Sequence, residues 1–214
     1  MSETYSNPEV IPSTQRFFEL WLLGDRDEDL CFIDSFVEGI GYESWRTGMG
    51  ERLAPVYPTD ARIPMSKKRP GIQLTSFLGN SINTLIGSRE FKEAIELQCG
   101  QQEIEYLSFT LYDHRNRPYS QDYFIINPIG TFDCLDFKAS DIDWSKERPD
   151  EILFIETHVL DRNKMKDAPQ LFRVGRDTHS YVIGVELIRE FKKRGLTNIL
   201  VEELEFSDSE QARP

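Results

Sequence analysis

The sequence predicts an α+β fold: a largely antiparallel sheet of short strands with two main helices, at about residues 88–99 and 184–194, packed on it. Three observations carry this. Apolar residues recur at helical spacing in two stretches, as Phe91, Ala94, Ile95 and Cys99 and again as Val185, Ile188 and Phe191. The longest alternating run, Ile104 to Tyr112, sets Leu107, Phe109 and Leu111 against Ile104, Tyr106, Ser108, Thr110 and Tyr112, the period of a half-buried strand. The other apolar runs, such as Ile152–Ile155 and Tyr181–Ile183, are short and read as strands.

Taken in order, Phe17 to Leu23 is expected to be a buried strand, with Cys31-Phe-Ile33 as its hairpin mate across the acidic segment Asp25-Arg-Asp-Glu-Asp29. From Gly41 to Gly71 the chain is punctuated by Pro55, Pro58, Pro64 and Pro70 around isolated Tyr42, Trp45 and Tyr57, which reads as irregular structure wrapped on a core. Ser88 then caps the first helix, Glu90 complements the positive end of its dipole, and Gly100 stops it. The turn Asp113-His-Arg-Asn-Arg-Pro118 leads from the long strand into Tyr123–Asn127, an antiparallel hairpin. Phe132–Asp136, Ile152–Ile155, Leu171–Val174 and Tyr181–Ile183 are further short strands. The second helix ends at Lys192-Lys-Arg194 and Gly195, and Leu196 to Phe206 is a closing strand.

The 214 residues carry 25 basic and 37 acidic side chains, a formal charge of −12. Such a body repels the phosphate backbone and anionic lipid unless it concentrates a basic stripe, so direct nucleic-acid and membrane partners are not expected. No apolar run approaches the ~20 residues that span a bilayer. The first ten residues lack the basic and apolar regions of a secretory signal, which predicts a cytoplasmic protein. Cys31, Cys99 and Cys134 form no Cys-x-x-Cys pair and lie in apolar segments, as reduced core thiols do; a nucleophilic Cys would need a His in its pocket. The acidity is uneven: residues 1–60 hold 4 basic and 12 acidic side chains. Asp25, Asp27, Glu28 and Asp29, followed by Asp34 and Glu38, therefore form either a solvated turn or a docking surface for a basic partner.

Catalytic signatures are missing. There is no phosphate-binding glycine loop, no Gly-x-Ser-x-Gly elbow, and no His-Glu-x-x-His or zinc spacing. His114, His158 and His179 are scattered and read as ordinary surface or half-buried histidines. Asp133, Asp136, Asp141 and Asp143 have spacings that could converge on a cation, but Asp136 with Ser140 and Asp141 at a strand exit reads more simply as loop and cap chemistry. Arg173-Val-Gly-Arg176 resembles an anion-binding fork, although a salt-bridged strand end accounts for it without a glycine loop. No cofactor or metal is expected.

Several segments together resemble a known family. They are Arg69-Pro-Gly-Ile-Gln-Leu74, Ile86-Gly-Ser-Arg-Glu-Phe91, Asp122-Tyr-Phe-Ile-Ile-Asn127, Phe132-Asp-Cys-Leu-Asp136 to Ser140, Leu171-Phe-Arg173 and Gly195-Leu-Thr-Asn198. Their succession, over about residues 44–206, is similar to the bacterial immunity proteins of polymorphic-toxin systems of the type named after a Myxococcus member, formerly a domain of unknown function. The resemblance implies a non-enzymatic inhibitor that binds and occludes a cognate toxin domain, for which a basic nuclease-like domain is the natural target of an acidic protein; the sequence leaves a homodimer open. It implies structural roles for Asn127, Asp133, Asp136, Ser140 and Arg173. On this division residues 1–43 form an N-terminal strand and acidic hairpin packed on the rest, 44–206 the family-like domain, and 207–214 a loose tail. The alternatives are a regulatory or scaffold module with a non-toxin partner, and an enzyme working through Asp133 and Asp136.

Overall fold

In the computed structural model, residues 15–207 are described. In chain order the elements are β1 (Phe17–Leu20), β2 (Phe32–Ile33), α1 (Arg46–Met49), β3 (Arg62–Pro64), β4 (Gly79–Asn80), β5 (Leu85–Ser88), α2 (Arg89–Cys99), β6 (Ile104–Tyr112) and β7 (Pro118–Pro128). They continue as β8 (Asp141–Trp144), β9 (Ile152–Thr157), β10 (Val159–Asp161), β11 (Leu171–Val174), β12 (Asp177–Gly184), α3 (Val185–Lys193), β13 (Val201–Glu203) and β14 (Glu205–Ser207). The class is α+β and rich in antiparallel pairing, as expected, but the strands are shared among several sheets. The two large ones have the orders β11-β12-β1-β13 and β3-β6-β7-β5. Only β3 pairs parallel within them, against β6. No helix among the described residues is long and apolar enough to cross a membrane.

The two predicted helices form where their local signals place them. The Ser88 hydroxyl accepts the Phe91 N–H, which satisfies one of the unpaired donors at the start of α2. The apolar stripe of α2, with Phe91, Ala94, Ile95 and Cys99 buried, meets that of α3, with Leu187, Ile188 and Phe191 buried. The Phe91 and Phe191 rings stack at 4.6 Å between them. In the β6–β7 hairpin, one Asp113 oxygen accepts the N–H groups of Arg115 and Arg117 while the other takes the Arg117 guanidinium. Those bonds pull the Asp113 carboxyl down to about 2 and let Asn116 adopt its left-handed φ of 57°.

Strand alternation distributes the apolar side chains among three cores. On β12, Tyr181 and Ile183 face α2 and α3, while Val182 between them faces Phe17, Phe172 and Leu160 on the opposite side. Leu107, Phe109 and Leu111 of β6 face the third core, built on Ile33, Leu53 and Ile63.

Three expectations need correction. Cys31–Ile33 is not the hairpin mate of the first strand: β1 lies between β12 and β13, and β2 pairs parallel with β4. Gly24 turns the chain at φ 62°, and Asp25–Asp29 then carries it to the other sheet. Phe132–Asp136 is not a strand but a loop held by two bridges, Phe132 to Val174 and Leu135 to Leu160. Leu196–Phe206 breaks into β13 and β14 because Leu204 turns inward to the core around Phe17, after which β14 pairs parallel with β10. Of the tail, Ser207 closes β14; residues 208–214, like the first ten residues, lie outside the described residues.

A buried polar chain joins the two large sheets. Arg173 on β11 is 1% exposed, and its guanidinium donates to the backbone oxygens of Thr47, Thr178 (2.9 Å) and Pro128 (3.4 Å) and to Asn127 Oδ1 (3.1 Å). Its planar face lies 4.2 Å from the Tyr181 ring centroid. Asn127 on β7 donates in turn to Glu51 O (2.8 Å) and to the buried carboxylate of Glu105 on β6 (3.2 Å). Glu105 also accepts the Leu53 and Ala54 N–H groups at 2.9 and 2.8 Å. Arg173 is thus neither an anion-binding fork nor a salt-bridged strand end. Its described acceptors are carbonyl oxygens, which a fixed five-donor fork can reach in several directions at once. Replacing it with Met leaves those acceptors buried and unpaired, so Arg173→Met is expected to lower unfolding stability by about 3 kcal/mol in urea titrations.

Candidate functional site

A concavity of about 1540 Å³ opens where the acidic segment leaves β1. It exceeds the ~300–1,000 Å³ of a small-molecule site. Its floor is apolar and unusually open to solvent: Trp21, Leu23, Ile72, Tyr119 and Leu200 are all exposed, Leu23 by 56%.

The geometry of this groove is set by backbone contacts from distant segments. Trp21 N donates to Leu200 O at 3.0 Å, fixing the two sides together. The next turn is locked by Asn198, whose Oδ1 accepts Asp25 N at 2.6 Å while Nδ2 reaches Phe77 O at 2.9 Å. A side chain at Gly24 would collide with that amide, its Cβ falling 2.7 Å from Nδ2, so glycine is required there for space as well as for φ. Asp25 Oδ1 then accepts Asp27 N, and Asp27 Oδ1 accepts Asp29 N, each at 3.0 Å. The acidic segment is therefore an ordered pair of Asx turns, and two of its carboxylates are used in building it. Gln73 N donates to Asp29 O at 2.9 Å and lays the 70–74 strip along the segment.

Charge on the groove differs from the sequence expectation. Asp25, Glu28 and Asp29 line it, but so do Arg26, Lys68 and Arg69, and the six charges balance. Arg69 stacks 3.9 Å over the Phe32 ring and donates to Asp25 O at 3.3 Å. The two charged walls flank an apolar floor. Asp34 stands outside the lining and buttresses it: it accepts from Ser66 Oγ at 2.6 Å, and Ser66 in turn accepts the Lys68 and Arg69 N–H groups at 3.2 Å. Glu38 is exposed elsewhere, with its N–H bonded to Arg62 O.

The aspartates considered for a cation are dispersed. Asp133 pairs with Lys164 at 2.8 Å. Asp136 is held below the usual carboxylate range by the Ser207 hydroxyl and by the N–H groups of Lys138 and Ala139. Ser140 Oγ accepts Val159 N at 3.0 Å, the loop chemistry that the spacing suggested. Asp141 and Asp143 sit on β8, and among the described residues no three His, Cys, Asp or Glu side chains gather around a point that could hold a metal. Burial pushes each thiol of Cys31, Cys99 and Cys134 up to about 12, so none is a thiolate at neutral pH.

One titratable group escaped the sequence reading. His158 is buried between Asp177, 2.9 Å from Nε2, and Glu19, 3.4 Å from Nδ1, and Ser180 Oγ donates to Asp177 at 2.8 Å. Its carboxylates come from β1 and β12, far away in sequence, and a lone histidine offers no signal of that company. No family model matches the chain, and no curated protein matches it.

Burial opposes the charge on His158, but hydrogen bonds to Asp177 and Glu19 and their attraction outweigh it and push the imidazole up to about 9. Because the folded pKa is the higher one, the stabilisation is complete below the unfolded value near ~6.5 and disappears as pH rises through about 9. Chemical denaturation at pH 6 to 10 should show His158→Gln flattening that decline, by on the order of 2–3 kcal/mol across the window.

Proposed function

We propose that the protein is a non-catalytic binding module whose groove beside Trp21 holds a partner protein, and that the partner is a toxin domain which it occludes. The observation that carries the reading is the apolar floor between two charged walls. Trp21, Tyr119, Leu23 and Ile72 supply large, partly desolvated contact area, the kind that dominates binding energy at interfaces. The charged side chains of the lining, three of each sign, fix the orientation of an occupant rather than its affinity. The toxin assignment rests on the likeness of the segments around Asn127, Asp136 and Arg173 to immunity proteins, and the overall charge of −12 suits a basic target.

A second reading has its own support. The balanced charge of the lining fits a partner of mixed charge as well as a basic nuclease, and a regulatory or scaffold module binding a non-toxin protein would use the same floor. Coexpression separates the two. The protein should rescue growth of cells producing a toxin encoded beside its gene, and Trp21→Ala combined with Ile72→Asp should reduce rescue by about a hundredfold while circular dichroism stays unchanged. Failure of the intact protein against every neighbouring toxin would overturn the immunity reading.

A further inference from the structure

The hairpin of β8 and β9 is a two-stranded sheet by itself, and no third strand covers either edge among the described residues. Its inner face is apolar and packed: Ile142, Ile152 and Ile155 join the core around Phe17, and the Trp144 ring meets that of Phe137 edge-on, 6.2 Å between centroids. The outer face follows from an unequal strand count. Four residues of β8 oppose six of β9, and the pairing shifts once beside Asp143 and once beside Asp141. Each shift is a bulge that turns two adjacent β9 side chains outward, Leu153 with Phe154 opposite Asp143 and Glu156 with Thr157 opposite Asp141. Strict alternation would have buried one member of each pair. Leu153 is instead 60% exposed and Phe154 65%, inside the run Ile152–Ile155 that reads in sequence as a plain short strand.

The outer face therefore presents an aromatic ring among acids. Asp143 and Phe154 are direct cross-strand partners, which sets their Cβ atoms ~5 Å apart. Asp141 stands two residues along on the same face, with Glu156 beside it. All three carboxylates are exposed, and none is in an ion pair among the described residues. Of the bases around the ribbon, Lys146 and Arg148 stand in its turn, where Arg148 bonds Glu151 at 2.6 Å, and Arg176 lies 5.3 Å from the Phe137 ring centroid.

The chain itself shows what such a pair binds. Phe18 of β1 and Glu203 of β13 are cross-strand partners in the same way, and there Arg16 bonds the carboxylate at 2.6 Å while its guanidinium lies 5.2 Å from the Phe18 ring centroid. Asp122 and Phe124, two apart on β7, hold Arg89 likewise, at 2.8 and 5.5 Å. A guanidinium suits the combination because its edge can donate twice to the carboxylate while its plane covers the ring. At Phe154 and Asp143 no described residue supplies the cation.

We infer that the outer face of the β8–β9 ribbon docks an extended, arginine-bearing segment of a partner protein, with one guanidinium stacked on Phe154 against Asp143 and a second, two residues on, over Asp141 and Glu156. Alternate side chains of an extended segment project ~7 Å apart on one face, the spacing of Asp143 and Asp141. The inference requires neither that the partner be a toxin nor that the groove beside Trp21 be occupied.

The probe is an eight-residue peptide alternating arginine and threonine, titrated into the full chain and followed by amide NMR, with lysine-for-arginine and glutamate-for-arginine peptides as controls. Shifts should centre on residues 141–143 and 153–156, and raising salt from about 0.05 to about 0.5 M should weaken binding. The arginine peptide should bind about threefold tighter than the lysine one. Phe154→Leu and Asp143→Asn should each weaken it about threefold, and Asp141→Asn combined with Asp143→Asn about tenfold. These side chains are exposed, so amide spectra away from the ribbon should stay unchanged in every variant. Shifts centred on Trp21 or elsewhere, no binding at ~1 mM peptide, equal binding of the lysine or glutamate peptide, or an affinity indifferent to both Phe154→Leu and Asp143→Asn would overturn the inference. Binding at the ribbon together with failed toxin rescue would leave the inference standing and remove the immunity reading alone.

Discussion

A guanidinium that is almost wholly withdrawn from water must find acceptors in fixed positions, and Arg173 finds them on three separate parts of the chain. Thr47 O comes from α1, Asn127 and Pro128 from β7, and Thr178 O from the next strand of its own sheet. Burial pulls its pKa below the usual guanidinium value, partly offset by Tyr181, but an arginine keeps its proton, so the structure has to supply the solvation that water would. Asn127 is the hinge of this arrangement, because its amide can accept from a cation on one side and donate to the Glu105 carboxylate on the other. The two charges never touch, yet each orients the amide that serves the other. Apolar packing alone would tolerate small slips between the sheets; a fully satisfied buried network does not.

How much of this was legible follows from how local each signal is. Helix α2 announces itself within twelve residues through Ser88, its stripe and its dipole charges, and β6 and β7 join across a turn that Asp113 closes by itself. The mate of β1 is β12, some 160 positions away, and the nearby apolar run Cys31–Ile33 was the more plausible partner by proximity alone. The failure at Phe132–Asp136 has a related cause: its alternation is real, but its backbone is engaged at single bridges and leaves no ladder. Asn127 and Arg173 drew structural roles only from a resemblance, whereas Glu105 shares the Leu107 and Phe109 face of β6, and a lone carboxylate there carries no signal of the amide it meets.

The acidic character of the first sixty residues also acquires a physical division of labour. Glu19 is spent on His158, Asp25 and Asp27 on their own turns, Asp34 on Ser66, and Glu43 and Glu51 on Arg46. Net charge therefore overstates the field available to a partner at any one place. At the groove Arg26, Lys68 and Arg69 balance Asp25, Glu28 and Asp29.

The claim on which the rest depends is that Arg173 and Glu105 act as one unit through Asn127. A double-mutant cycle with Arg173→Met and Glu105→Gln, read by urea unfolding, tests it directly. The account predicts a coupling of about 1 kcal/mol or more between two residues whose described contacts meet only at the shared amide. Stability losses that simply add would show that the two buried charges are independent and that the sheets are held together by apolar packing alone.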